Sequence, residues 1–368
     1  MANGFQVLFG KNATDGDAAF YRLLAALEVE ENADLPGAIQ LTLPIATHGS
    51  AGSEDLTVLA DDRYQPYARI AVVVSVDRRP DECIFDGHVL SHRIHLDRST
   101  TAASVHVWGQ DATCRMNLEE TVHEWFQSDG TIANAIFQKY EFSAAPDNTR
   151  DDSGDHPAAK HSVMQRATDA QFLRDHARRA GKLFRVACGE RAGSHTGYFV
   201  TPQVAGDPVG PPLVLNPADE ANVDALTFAW DVARPTQVVA HALIMAKDPV
   251  DGSATDSALT ALDTRSLAAF VGDDNAMSTR LAATVDEVGE LTSRAQSLLR
   301  EAGWFVKCEG ETEVSRFGAV LRVGTLVRVN GAGRLHSGTY FVWSVRHSIT
   351  AQSHRMKFML VRNAVGAA

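Results

Sequence analysis

The sequence predicts an α+β, β-rich chain built from several units. Three observations carry that reading. Both ends show short runs of alternating apolar residues separated by Gly-, Pro- and Asn-rich turns, the pattern of antiparallel strands. Capped helices run directly into strands in the middle. A segment rich in Asp, Ser, Thr and Ala, with little periodicity, interrupts the last third. At 368 residues the chain exceeds one ordinary core, so two to four domains are expected. The predicted layout is a first β-rich unit over 1–111 and a middle α+β domain over 112–221 with a polar loop at 143–161. A second β-rich unit follows over 222–246 and 284–368, split by an insertion at 247–283. Each β-rich unit carries one helix.

The N-terminal unit opens with FQVLFG. RLLAALEVEE and LPGAIQLTLPI then read as two strands turned at Asp34-Leu35-Pro36-Gly37, with Arg22–Leu27 equally able to form a helical turn. Ala68–Val76 is a near-continuous β-branched run, as in a strand covered on both faces. CIFDGHVLSHRIHL and ASVHVWGQD alternate. Asn117 with Glu120 predicts a capped helix over Leu118–Gln127, broken at Gly130 and resuming over Thr131–Tyr140. Ser143–His161 has the composition of an exposed loop. Thr168 and Gln171 cap a helix ending at Gly181, and the strand LFRVAC follows, then strands at GYFV, VDALTFAWDV and TQVVAHALIM.

In the last quarter, Thr284 and Glu287 form a capping box. Val288, Leu291, Ala295, Leu298 and Ala302 make one apolar stripe, expected to pack on the second β-rich unit, and Gly303 supplies a left-handed stop. Strands are expected at Trp304–Cys308, Ala319–Gly324, Thr325–Gly331, Thr339–Ile349 and Arg355–Asn363. The two ends share this style of several short strands plus one helix, which permits a weak internal duplication.

Charge and chemistry exclude several functions. A net charge of −12 argues against a dedicated nucleic-acid binder, which needs a concentrated basic surface. The N-terminus lacks a basic stretch leading into an apolar one, so no signal peptide is expected, and no window approaches the length of a membrane-spanning helix. Cys83, Cys114, Cys188 and Cys308 are far apart and form no C-x-x-C, which reads as small apolar residues in a reducing cytoplasm. Phosphate-loop, dinucleotide and nucleophile-elbow motifs are missing. His123-Glu124 would begin a zinc motif, but Gln127 stands where the second histidine is needed. His88 and His92, four apart, are expected on one strand face and His95 on the other, with His106 near in sequence; no acidic or cysteine partner stands at ligand spacing. His156 and His161 fall in the polar loop and are expected to be solvated. Asn12-Ala13-Thr14 matches a glycosylation site without the secretory context that would use it. Glu119-Glu120 and Asp151-Asp152 are adjacent pairs, not two carboxylates held across a cleft. Trp108, Trp125, Trp230, Trp304 and Trp343 sit in apolar elements and read as core. No catalytic, cofactor-binding or metal residue is assigned, and no enzyme activity is expected.

The ordered pattern of helix, strand, G-x-L-V-x-V-x-G, G-x-Y-x-V-x-x-V-x-H and x-F-x-L-x-R over 284–363 resembles the C-terminal tube domain of the phage late control protein D family, the baseplate hub of contractile tails. Glu28–Leu43 is similar to that family's first paired strands, Val107–Tyr140 to the exit from its first tube domain, and Thr168–Val186 to its capped helix running into a strand. The resemblance covers most of the chain in order. It implies two tube-type β-barrel domains and a mechanical role: a homotrimeric adaptor between a six-fold inner tube and a three-fold spike. The implied partners are the inner tube protein, a spike on a separate chain and other baseplate components, with no direct nucleic-acid recognition and no membrane segment. The chain would be made in the cytoplasm and assembled into a phage tail or injection particle. The alternatives are a particle-associated cell-wall hydrolase and an unrelated β-rich binding module.

Overall fold

The computed structural model describes residues 4–44, 61–96, 103–156, 162–189, 191–217, 219–242, 250–282 and 288–366. Its largest element is one 13-stranded sheet to which both ends of the chain contribute. From the N-terminal unit come Gly4–Phe9, Thr14–Asp15, Ala26–Asn32, Ala38–Pro44, Arg69–Ser75, Glu82–His95 and Ser104–Asp111. From the C-terminal unit come Leu213–Val214, Val223–Trp230, Val306–Glu313, Leu326–Asn330, Gly338–Ile349 and His354–Arg362. Alternating side chains bury one face, and the two units share one apolar core running from Val7 to Val365. Arg69–Ser75 buries Ile70, Ala71, Val72 and Val74, so both its faces are covered. In the N-terminal unit a short helix, Ala18–Leu23, is held by Asp17, whose side chain accepts from the Phe20 amide, and anchored by buried Phe20.

The middle unit has its own core, in which helices Asp129–Lys139 and Asp169–Ala180 pack with strands Leu183–Cys188 and His195–Val200. Thr168 caps the second helix through the Gln171 amide, and Gly181 ends it with φ +64°, as the sequence expects. The stretch expected as helix Leu118–Gln127 is instead strand Glu120–Trp125, antiparallel to Val163–Thr168. Asn117 accepts from the Thr168 hydroxyl at 2.8 Å rather than capping a helix. Thr121, Val122 and Trp125 favour extended backbone, and the tertiary pairing overrides the local capping pattern.

The polar loop is not simply solvated. Asn148 is fully buried, donating to Asn134 and to the Gly197 carbonyl and accepting from the Phe199 amide. Asp155, Ser153 and Asp152 accept from the amides of Ser128, Asp129 and Gly130 at 3.1, 3.0 and 2.8 Å. The loop therefore satisfies donors that the start of helix Asp129–Lys139 leaves unpaired.

The described part of the expected insertion, 250–282, belongs to a fourth unit. Val250–Ala254 pairs antiparallel and Ser278–Ala282 parallel with Gln237–Ala242, a strand expected in the second barrel. Helix Val288–Ala302 packs on this three-stranded sheet rather than on the barrel, through Leu291, Ala295 and Leu299 with Val238, Ala240 and Ala254. Leu291, Ala295 and Ala302 are buried as the stripe expects, and at its fourth position Leu299 (5% exposed) is the buried member while Leu298 flanks it half-buried. Between its strands the segment is tied to the second barrel: Arg265–Ser266 pairs with Ala364–Val365, and Asp263 meets the buried Arg362 guanidinium at 3.2 Å. Gly303 closes the helix without a left-handed φ, and its amide donates to the Leu299 carbonyl. Ala319–Gly324, expected as a strand, is irregular chain with Ala319, Val320, Leu321 and Val323 buried. The Thr284–Glu287 capping box and His161 lie outside the described residues.

Candidate assembly interface

Eight consecutive strands of the large sheet, part of an unbroken run of eleven, form a wall. In spatial order they are Val223–Trp230, Val306–Glu313, His354–Arg362 and Gly338–Ile349, then Ala26–Asn32, Ala38–Pro44, Ser104–Asp111 and Glu82–His95. The pairing runs on past Glu82–His95 through Arg69–Ser75, Gly4–Phe9 and Thr14–Asp15, and Leu326–Asn330 with Leu213–Val214 branches from Gly338–Ile349. The seam between the strands of the two chain ends is antiparallel pairing from Ser344 opposite Asn32 to Ile349 opposite Leu27. Beyond it the Ala33 amide donates to the Trp343 carbonyl at 2.9 Å. Leu27, Val29, Val345 and Ile349 put the core-facing side of the seam in the shared core.

Alternation sends the intervening residues to the other face, which is polar across the wall. Glu311 stands opposite Lys357, Lys357 opposite Arg346, and Arg346 opposite Glu30, a row of acid, two bases and acid. Arg346 bonds Glu30 at 2.8 Å, and Arg355 pairs with Glu311. Farther along, His106 meets Thr42 at 3.2 Å and Ser104 at 3.2 Å. Exposed pairs of this kind add little stability, so their effect is to keep the face wet and fix register.

The wall has two open edges among the described residues. Val223–Trp230 pairs only with Val306–Glu313, leaving its other edge free along eight residues. At the opposite end, Ser91–His95 pairs only with Ser104–Trp108, because strand Arg69–Ser75 reaches no farther than His88. Unpaired strand edges invite pairing with another chain. Trp230 (51% exposed) lies on the first edge and Trp108 (38%) beside the second, so neither is the core residue the sequence leads one to expect; Trp125 and Trp304 are.

The histidines are dispersed. A bulge between Val89 and Ser91 places His88 opposite Gln110, His92 opposite Val107 and His95 opposite Ser104. It therefore separates His88 from His92, which plain alternation would put together. His123 and Glu124 lie on a strand, not a helix. No group of three or more His, Cys, Asp or Glu stands at metal-holding geometry among the described residues.

A buried cluster in the middle unit was not legible from spacing. The Asp129 carboxylate lies 2.7 Å from His156 Nε2 and 2.9 Å from His176 Nε2. Burial opposes its ionisation, but the bonds to His156 and His176 outweigh that and hold the carboxyl well below its usual range. The bond to Asp129 raises the affinity of His156 for its proton against the opposing effect of burial. His156 is therefore packed, not solvated. His176 is stacked between Phe172 and Phe199. Only an acid in the first helical turn hinted at any of this, and nothing local brings His156 to it.

No family model matches the chain, and no curated protein matches it by sequence. Solved structures match over its whole length. A tail protein from Neisseria meningitidis MC58 aligns at TM-score 0.66 and 12% identity, covering 99% of this chain and 97% of that one. The 43 kDa tail protein of prophage MuSo2 from Shewanella oneidensis gives 0.63 and 15%, covering 100% and 99%. An E. coli component of the type VI secretion system, described as structurally similar to T4 bacteriophage tail proteins gp27 and gp5, gives 0.51 and 12%, covering 100% and 80%. The chain thus has the β-rich α+β fold of phage tail proteins and of a type VI secretion component. At this identity the likeness is one of fold.

Proposed function

We propose that this chain is the baseplate hub of a contractile phage tail or a related injection system, a trimeric adaptor joining a six-fold inner tube to a three-fold spike. The observation that carries the reading is one sheet to which both ends of the chain contribute, with strand edges unpaired among the described residues at Val223–Trp230 and Ser91–His95. One strand block from each end of the chain makes six blocks in three chains, a count that fits six-fold symmetry on one side and three-fold on the other. In the ring, Val223–Trp230 of one copy lies along Ser91–His95 of the next, and closed symmetry ends the association there. The likeness in fold to tail and secretion proteins supports the same setting.

The role is mechanical: the polar face lines the passage and the core-facing side gives the ring stiffness. No substrate chemistry is assigned. No helix among the described residues is long and apolar enough to cross a membrane. Mixing the chain with inner-tube and spike proteins of the same particle and reading co-elution tests the reading. Joint elution with both supports it, and elution apart from both overturns it.

A further inference from the structure

A groove of about 730 Å³ opens between the first barrel, the middle unit and the second barrel. Cys83, on strand Glu82–His95 of the first barrel, and Cys188, at the end of middle-unit strand Leu183–Cys188, both line it. They come from different units, 105 residues apart, yet the Cys188 thiol donates to the Cys83 carbonyl. The second barrel supplies the third member: Arg322 donates to that same carbonyl at 3.0 Å and lies 3.9 Å from Cys188 Sγ. Arg322 is itself fixed by Glu31 at 3.0 Å and Glu82 at 3.5 Å. The other two cysteines are buried and have no such partner among the described contacts.

We propose that Cys83 and Cys188 are a modification site that closes to a disulfide, stapling the first barrel to the middle unit when the protein meets a low-molecular-weight disulfide oxidant. Cys188, half-buried at the groove with positive charge beside its sulfur, is the attacking thiol. Its thiolate attacks one sulfur of the oxidant and releases one small thiol, leaving a mixed disulfide. Cys83 then attacks Cys188 Sγ, giving up its thiol proton as the Cys188–small-thiol bond breaks, and the second small thiol leaves. Two electrons pass to the oxidant, and both cysteine protons leave on the released thiols. The Cys188 side chain, and after it burial, push the Cys83 thiol up, so Cys83 is not the member that opens the exchange. This inference stands independently of the hub reading, since it concerns contacts within one chain.

The test uses the full-length protein incubated with glutathione disulfide, then denatured, tagged with a maleimide and mapped by mass spectrometry without reduction. The expected result is a Cys83–Cys188 cross-linked peptide, with Cys114 and Cys308 still tagged. The melting midpoint should rise by roughly 5–10 °C over the reduced protein, because a long loop is closed. The Cys83→Ser variant should instead keep glutathione on Cys188, and Cys188→Ser should take up none at Cys83. Four tagged cysteines after oxidation, a stable glutathione adduct on Cys188 in the unsubstituted protein, or a cross-link between two chains would each overturn the proposal.

Discussion

Ile349 stands directly opposite Leu27 across the seam where the strand blocks from the two ends of the chain meet, and both side chains are buried. The seam is thus part of the shared core and not a contact between finished barrels. Truncating either residue to alanine should cost about 2–5 kcal/mol. Because the two residues are paired, the double variant should cost less than the sum. Arg346→Ala, which removes the exposed ion pair to Glu30, should cost under about 1 kcal/mol. Denaturant unfolding of the four variants checks the ranking. An Arg346 loss equal to the Ile349 loss would mean the seam is held from its polar face.

Helix Val288–Ala302 gives a second ranking. Leu299→Ala should cost about 2–5 kcal/mol, since Leu299 is buried against Val238 and Ala240. Leu298→Ala should cost less, because that side chain is only half-buried, and Glu301→Ala under about 0.5 kcal/mol. Thermal melts would read this order, and a Leu298 loss above that of Leu299 would contradict it.

Gly181 links the middle unit to that helix. Its φ is +64°, and a Cβ there would come within 2.8 Å of the Ser297 Cα. Gly181→Ala therefore combines left-handed strain with a backbone clash and should destabilise by more than about 1 kcal/mol. Hydrogen exchange should show lost protection in helix Val288–Ala302 before any loss in the barrels. Unchanged exchange there would show that the two units do not depend on this contact.

Acid should loosen the second barrel next to the seam. His347 Nδ1 and His354 Nε2 lie 3.0 Å apart. Burial holds both below the ordinary histidine range, His347 well below and His354 at about 4, and His354 and Arg322 further disfavour a proton on His347. The unfolded chain takes up these protons near pH 6.5 and the folded chain does not. Stability from this pair is therefore present above about pH 6.5 and lost as pH falls toward 4. His354→Gln should remove roughly 2 kcal/mol or less of the drop between pH 7.5 and pH 5. Urea midpoints at the two pH values, with and without the substitution, would reveal it; identical drops would remove the pair as the cause.

What the sequence made legible was local. Alternation located Ala26–Asn32, Arg69–Ser75 and His354–Arg362, and side-chain chemistry located the start at Thr168 and the stop at Gly181. What it hid depends on distant partners. Glu120–Trp125 carries a plausible capping pattern and becomes a strand only because Val163–Thr168 lies beside it. The 250–282 segment looks too polar for structure until Gln237–Ala242 pairs with it and helix Val288–Ala302 covers it. The seam, the Asp129 cluster and the Cys83–Cys188 contact join residues with no sequence relationship. The open edges of the wall could not be counted before the order of its strands was known.

The native mass of the chain, alone and mixed with the spike protein of its particle, tests the hub reading most directly. The hub account predicts a species of three chains of 39.8 kDa each, formed alone or only on adding the spike. A particle that remains one chain under both conditions, with Val223–Trp230 and Ser91–His95 as exchange-labile in the mixture as in the free chain, would contradict it.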